Sequence, residues 1–247
     1  MKLEIFDNYE VLSLHAAKEI ISIVHQKPNA LFCLATGDSP KLTYTLLANE
    51  ARESGVDFSK AYFIGLDEWV GVPPTNPGSC HYYLTRNVFQ PLGIDVAHIH
   101  LFNALSKNLQ NECQSMDETI RNLGGIDLML VGIGMNGHVG FNEPGISPDL
   151  YSHVINLAEV TQKVGQKYFT ETMVLKQGIT LGLKHFLESK VALLVANSEK
   201  KAGIIKRALE ETISETLPAT FIRRHANGKV FVDSAALAKN NQKPLFD

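Results

Sequence analysis

Apolar and polar residues follow one another along the chain in blocks that predict helices and strands in turn. From Tyr9 to His25 apolar residues recur near helical spacing with charges between them, which predicts a surface helix with one buried face. Further helices are predicted at roughly Lys41 to Arg52, Cys80 to Phe89, Asn108 to Leu123 and Glu199 to Glu211. Apolar runs too short for stable helices predict buried strands at Ala30 to Ala35, Ala61 to Leu66, Ile126 to Ile133, Val191 to Ala196 and finally Lys229 to Asp233.

Alternation of strand and helix is typical of a mainly parallel sheet with helices on both faces, an α/β fold. We expect a single domain over residues 1–247. In such sheets ligands bind beyond the carboxyl ends of the strands, so the polar and glycine-rich loops that follow the strands should converge on one site.

Composition narrows the class of protein. The chain is 45% hydrophobic and 20% charged with a net charge of −3, which is typical of a soluble globular protein and provides no broad basic surface for nucleic acid. The three cysteines are odd in number and unpaired in spacing, which favours a reducing compartment. Neither a signal peptide nor an apolar stretch of about 18 residues is apparent. We therefore expect a cytoplasmic protein with a small-molecule partner and no membrane contact.

Two loops carry candidate chemistry in the first third of the chain. Thr36, Gly37, Asp38 and Ser39 lie between a strand and a helix that Pro40 would open, a natural phosphate site, with an ordinary capped turn as the alternative. Asp67 and Glu68 follow the second strand directly. Asp67, nearer the strand end, is the candidate general base, because burial in a crevice would raise its pKa; a solvated strand end is the alternative.

A third loop, Gly134 to Pro144, reads GMNGHVGFNEP. The preceding GIGMNG matches the dinucleotide pattern GxGxxG, but the proline and glycine that follow interrupt the required helix, so no dinucleotide is expected. Asn136, His138, Asn142 and Glu143 remain. A histidine with a carboxylate suits proton transfer near neutral pH, and without further ligands the pair predicts no metal site; a structural histidine is the alternative.

Two lysines and one long segment complete the candidate site. Lys167 and Lys200 could neutralise a phosphate or could be ordinary surface charges. The segment from Gly145 to Gln177 has no clean period, and we interpret it as a mobile cover over the crevice.

Five segments, LATGDSP, FIGLDEWVG, NPGSCHYY, GIDLMLVGIGMNGHVGFNEPG and ITLGLKHFL, resemble in order the glucosamine-6-phosphate deaminase family and its galactosamine-6-phosphate branch. The resemblance implies a Rossmann-like fold and a cofactor-free conversion of a hexosamine 6-phosphate to a ketohexose 6-phosphate and ammonia. It also implies that Asp67 moves the C2 proton, that His138 opens the sugar ring with Glu143 as its partner, and that residues 36–39, Lys167 and Lys200 bind the phosphate.

Departures from the family pattern shape the substrate prediction. Asn136 stands where aspartate is frequent, so it can orient His138 but cannot relay charge, and Lys167 replaces a common arginine. Trp69 and Gly78 to Cys80 replace common tyrosines and look closer to the galactosamine branch. We therefore favour galactosamine 6-phosphate giving tagatose 6-phosphate, with glucosamine 6-phosphate giving fructose 6-phosphate as the alternative. The alternative functions are a 6-phosphogluconolactonase and a non-catalytic sugar-phosphate sensor. The sequence is also compatible with a homo-oligomer.

Overall fold

A computed structural model describes residues 1–237 as two sheets with helices around them. The strands are β1 (Lys2–Phe6), β2 (Leu31–Leu34), β3 (Tyr62–Gly65), β4 (Asp67–Trp69), β5 (Ile99–His100), β6 (Leu128–Val131), β7 (His153–Asn156), β8 (Gln177–Thr180), β9 (Val191–Ala196) and β10 (Gly228–Asp233). The α-helices are α1 (Tyr9–Gln26), α2 (Asp38–Ser54), α3 (Cys80–Leu84), α4 (Gln90–Leu92), α5 (Leu109–Asn122), α6 (Glu159–Gly165), α7 (Leu183–Glu188) and α8 (Ala202–Glu210). A π-helical turn, Thr85–Phe89, joins α3 to α4, and 3-10 turns include Gln166–Tyr168 and Glu199–Lys201.

The main sheet has seven parallel strands in the order β1-β10-β9-β6-β2-β3-β5. Its two faces contact separate hydrophobic cores. Along β2, Leu31 and Cys33 belong to one core, whereas Phe32 and Leu34 belong to the other, as the alternation of side chains in a strand requires. The predicted parallel sheet with helices on both faces is confirmed.

The strand order reverses beside β2. From β2 the chain moves outward through β3 to β5, and the later strands β6, β9 and β10 add on the opposite side. Such a reversal leaves a crevice at the carboxyl ends of the two central strands, β2 and β6. The loops after these two strands are among those for which the sequence predicts chemistry.

Several elements differ from the sequence prediction. The edge strands β1 and β5 were not predicted, and α2 begins at Asp38, slightly before the expected proline. Asp67 does not end the second predicted strand: it begins β4, which leaves the main sheet and pairs antiparallel with β8. The segment without a clean period forms β7, which also pairs with β8, and then α6. In residues 1–237 no helix is long and apolar enough to cross a membrane.

Candidate active site

A cavity of about 200 Å³ lies in the crevice at the carboxyl ends of the central strands. Its wall combines the loops after β2, β3 and β6 with α6 and the turn that follows it. Of the predicted site residues, the wall contains Thr36, Gly37, Asp38, Ser39, Asp67, Asn136, His138 and Lys167. The structure thus brings most of the predicted residues together, and residues within 160–168 of the segment expected to cover them line the same cavity.

One end of the cavity is the start of α2. Gly37 caps this helix with φ of 113°, a backbone conformation that favours glycine, and its carbonyl accepts a hydrogen bond from Tyr83 at 2.7 Å. The Tyr9 hydroxyl donates to the Asp38 carbonyl at 2.8 Å. Helix starts leave backbone N–H groups without intrahelical partners, and this one belongs to a 17-residue helix. Held by two tyrosines, it is suited to bind an anion.

Two lysines lie at the same end of the cavity. Lys167 donates to the Asp38 carboxylate at 2.5 Å, which ties the turn after α6 to the start of α2. Lys201 donates to the Ile133 carbonyl at 2.6 Å. Burial, with the positive charge of Lys167, lowers the pKa of Lys201 to about 8, against a smaller opposing effect of Asp38. An anion bound here would stabilise the charged form of Lys201.

The structure corrects the lysine predicted after β9. Lys200 is exposed and is absent from the cavity wall, whereas its neighbour Lys201 lines the cavity. The reason is a sharp turn at Ser198, where φ is 74° and the backbone N–H donates to Asp233 at 3.1 Å. The 3-10 turn that follows directs Lys201 back toward the carboxyl end of β6.

Asp67 occupies the opposite wall. The Asp67 side chain is partly exposed to the cavity. Burial raises its pKa to about 7, and the negative charge of Glu68 raises it further. The Cys80 thiol, which donates to Asp67 Oδ1 at 3.5 Å, opposes this rise. Glu68 itself is buried and accepts hydrogen bonds from three backbone N–H groups, those of Trp69 at 2.9 Å, Cys80 at 3.0 Å and His81 at 2.8 Å. Glu68 therefore anchors α3 to β4, and Asp67 is the carboxylate available for proton transfer near neutral pH.

His138 and Glu143 form the predicted pair. The Nδ1 atom of His138 lies 3.5 Å from Glu143 Oε2 and 3.2 Å from the Thr161 hydroxyl of α6. Burial alone would raise the pKa of Glu143, but the contacts with His138, Thr161 and Asn136 outweigh it and lower the pKa to about 2. Glu143 is therefore a fixed negative charge beside the imidazole.

Asn136 bridges the histidine and the glutamate. Its amide donates to Glu143 Oε2 at 2.7 Å, and its carbonyl oxygen accepts from the His138 backbone N–H at 3.2 Å. Gly134 leaves room for the ring, because a Cβ there would lie 2.3 Å from His138 Nε2. Asn142 holds the loop from behind by donating to the Leu181 carbonyl at 2.9 Å. The geometry leaves Nε2, at the far side of the ring from Glu143, for a ligand.

Sequence reasoning missed three side chains that shape the site: Thr161, Cys80 and Lys201. Thr161 lies in a helix whose seven residues show no clean period, and Cys80 enters the sequence analysis only as part of the segment NPGSCHYY, without a chemical role of its own. Trp69 is buried, with its ring centroid 4.6 Å from that of Phe141. Within residues 1–237 no three histidine, cysteine, aspartate or glutamate side chains are grouped so that they could hold a metal ion.

Comparison with known proteins places this geometry in a family. Residues 8–232 match the family model described as glucosamine-6-phosphate isomerases/6-phosphogluconolactonase. The chain belongs to this family. Members named glucosamine-6-phosphate deaminase include one from Shouchella clausii, 37% identical over 237 residues that cover 96% of each chain. Another, from Clostridium botulinum, is 36% identical over 244 residues, which are 98% of this chain and 100% of the relative.

Solved structures agree with this family. A structure described as a monomeric glucosamine-6-phosphate deaminase matches with a TM-score of 0.93 at 34% identity, over 96% of this chain and 100% of that one. A 6-phosphogluconolactonase from Trypanosoma brucei, with a TM-score of 0.75 at 18% identity over 95% and 97% of the two chains, shares the fold. The predicted family and fold class are thereby confirmed. The named relatives do not single out the galactosamine branch.

Proposed function

We propose that this family member converts a hexosamine 6-phosphate and water into a ketohexose 6-phosphate and ammonia, with glucosamine 6-phosphate as the preferred substrate. One observation carries the proposal: a carboxylate with a pKa near 7, Asp67, shares a cavity with a paired histidine, His138, and with the anion-binding start of α2. This combination provides one group for each chemical step and one for the phosphate.

The phosphate group binds at the start of α2. Backbone N–H groups of the first turn and the Ser39 hydroxyl supply hydrogen bonds, and Lys201 supplies a half-buried positive charge. Lys167 adds a second charge when the phosphate competes with Asp38 for its ammonium group. The sugar ring then extends toward Asp67 and His138.

Ring opening is the first chemical step. His138 accepts the proton of the C1 hydroxyl and returns a proton to the ring oxygen, which breaks the C1–O5 bond and leaves an aldehyde at C1. The ionised Glu143 stabilises the imidazolium that forms in between. Asn136 and Thr161 keep the ring in position.

Isomerisation and deamination follow at C1 and C2. Asp67 removes the C2 proton while the C1 carbonyl oxygen takes up a proton from water, which gives an enolamine with a hydroxyl on C1 and the amine on C2. Return of a proton to C1 converts this intermediate into an iminium ion at C2. Water adds to C2 and ammonia leaves, so the ketone forms without net oxidation and without an external electron acceptor.

The relatives favour one hexosamine over the other. Those reported above are named for glucosamine 6-phosphate, which supports the alternative substrate of the sequence analysis over galactosamine 6-phosphate. Trp69 and Cys80, which suggested the galactosamine branch, are both buried. Trp69 packs against Phe141, and Cys80 contacts Asp67. Neither contact requires an axial hydroxyl at C4.

Purified protein incubated separately with glucosamine 6-phosphate, galactosamine 6-phosphate and 6-phosphogluconolactone tests the proposal. We expect ammonia and fructose 6-phosphate from the first substrate, at a kcat/KM well above that for the second, and no hydrolysis of the lactone. Ammonia from neither amino sugar would contradict the proposed reaction. Ammonia mainly from galactosamine 6-phosphate would keep the reaction and reverse the substrate preference.

A further inference from the structure

The Cys80 thiol lies between two residues of the candidate site. Its sulfur is 3.4 Å from the Thr36 hydroxyl and 3.5 Å from Asp67 Oδ1. The residue is 5% exposed, and it belongs to the cavity wall. Within residues 1–237 this thiol is the side-chain donor that the structure provides for the Asp67 carboxylate.

The position of the sulfur is fixed by the backbone. Cys80 is the first residue of α3, and Ser79 caps this helix by accepting from the Tyr82 N–H at 3.0 Å. The Cys80 and His81 N–H groups bind Glu68, the residue adjacent to Asp67 in β4. Helix α3 and the Asp67 backbone are therefore held as one unit, with the thiol aimed at the carboxylate.

The thiol keeps its proton under the conditions in which Asp67 acts as a base. Burial raises the pKa of Cys80 well above its usual value, and the negative charges of Glu68 and Asp67 raise it further. A neutral thiol beside a carboxylate donates its S–H, while the Thr36 hydroxyl can donate to the sulfur.

We infer that Cys80 is a positioning residue for the general base: its S–H, held by Thr36 and the start of α3, orients the Asp67 carboxylate and sets its basicity. The inference rests on the proposed function. A thiol is a weak hydrogen-bond donor. It can hold the carboxylate in one orientation without the strong stabilisation of the charged form that a hydroxyl or an N–H would give.

Other groups also face Asp67 and must stay unchanged in a test. Glu68 in β4, Cys33 in β2 and Tyr44 in α2 interact electrostatically with it. The cavity wall further contains the titratable residues Asp38, Tyr83, His138, Lys167, Tyr168 and Lys201. A substitution at position 80 leaves all of these side chains in place, so a changed pH profile can be traced to the thiol.

The first test compares Cys80→Ala and Cys80→Ser with wild type and with Cys113→Ala, which removes another buried thiol, on α5. The acid limb of kcat is measured at saturating glucosamine 6-phosphate. Without the donor, the midpoint for Cys80→Ala should rise by about half a pH unit, which lowers kcat about threefold at pH 6 and little at pH 8.5. Serine, a stronger donor, should bring the midpoint back to the wild-type value or below it, and Cys113→Ala should not move it. An unmoved midpoint in Cys80→Ala overturns the inference.

A second test needs no turnover, which separates this inference from the proposed reaction. The S–H stretching band of the wild type and of Asp67→Asn is recorded by infrared difference spectroscopy. A thiol bound to a carboxylate loses that partner in the variant, so one S–H band should shift. Identical bands overturn the inference even if ammonia is formed. A shifted band in a protein that forms no ammonia supports the Cys80 contact and contradicts the deaminase alone.

Discussion

Replacing Asp67 by asparagine should make the protein inactive and, at alkaline pH, more stable. The folded protein holds the pKa of this carboxyl at about 7, against an ordinary value of 3.8. A carboxyl whose pKa is raised on folding binds its proton more tightly in the folded state, so the free energy of unfolding falls as pH rises from 3.8 to 7 and is constant above. Asparagine carries no charge and avoids this loss.

The size of the gain follows from the shift. About three pKa units at 1.36 kcal/mol each give a ceiling of about 4 kcal/mol above pH 7. Because Asp67 is partly exposed to the cavity, screening by water reduces the expected gain to about 1–2 kcal/mol. At pH 5 most of the carboxyl is protonated in the folded state, so the gain there should be less than half as large.

Urea unfolding at pH 8 and at pH 5 measures this difference, with Asp149→Asn as a control because its side chain is 85% exposed. Activity is followed in parallel as kcat at saturating substrate, since the substrate phosphate has its own second pKa of about 6. Wild-type kcat should fall about tenfold per unit below pH 7, and Asp67→Asn should lose about 10²–10⁴-fold in kcat at pH 8. Equal stabilisation at both pH values, or full wild-type activity at pH 5.5, would refute the assignment of Asp67.

Three further substitutions test the rest of the site. Lys201→Ala should raise KM for the sugar phosphate at least tenfold in steady-state assays, because a half-buried charge is removed, whereas the exposed Lys200→Ala should change it less than twofold. Asp38→Asn removes a carboxylate that competes with the substrate phosphate for the ammonium group of Lys167. The KM for the sugar phosphate and the inhibition constant of inorganic phosphate should therefore both fall. An increase in either constant would contradict this competition. Gly134→Ala places a Cβ 2.3 Å from the His138 ring and should lower kcat at least tenfold in the ammonia assay while the protein still folds, as circular dichroism would show.

The parts of the fold that could be predicted from sequence are those that are buried on both sides. Strands such as β6 and β9 are continuous apolar runs, because helices cover both faces of the sheet. Strand β1 was missed because it pairs on one side only and mixes Lys2 and Glu4 with exposed Leu3 and Ile5. An edge strand of this kind carries no uniform hydrophobic signal.

The second sheet was hidden for a different reason. Its strands β4, β7 and β8 have three or four residues each and mix polar with apolar residues, so they show neither a continuous apolar run nor a recognisable period. Asp67 was therefore interpreted as the end of one strand, although it begins another that pairs with β8. Its place in the site was still predicted, since both interpretations put it just beyond the carboxyl end of β3.

The identity of the cavity lysine after β9 could not be predicted from the sequence. Positions 200 and 201 are both lysine, so the sequence alone does not show which of the two side chains lines the cavity. That depends on the rotation of one turn. That rotation is set by the positive φ of Ser198 and by its hydrogen bond to Asp233, a residue 35 positions away. Long-range contacts of this kind leave no local pattern.

The two carboxylates that act in the proposed mechanism, Asp67 and Glu143, have pKa values shifted in opposite directions, and this difference explains the separate roles proposed for them. Burial beside a weak donor brings the pKa of Asp67 to about 7, so it can accept and release a proton during each turnover at neutral pH. The pKa of Glu143, which is buried, is held near 2 by the imidazole, a hydroxyl and an amide, so this carboxylate stays charged throughout. When the surroundings of two carboxyl groups give them different pKa values, one group can transfer protons while the other stays charged and provides electrostatic support. Asn136 is part of this separation, because an amide there donates to Glu143, whereas a second carboxylate would compete for the same proton.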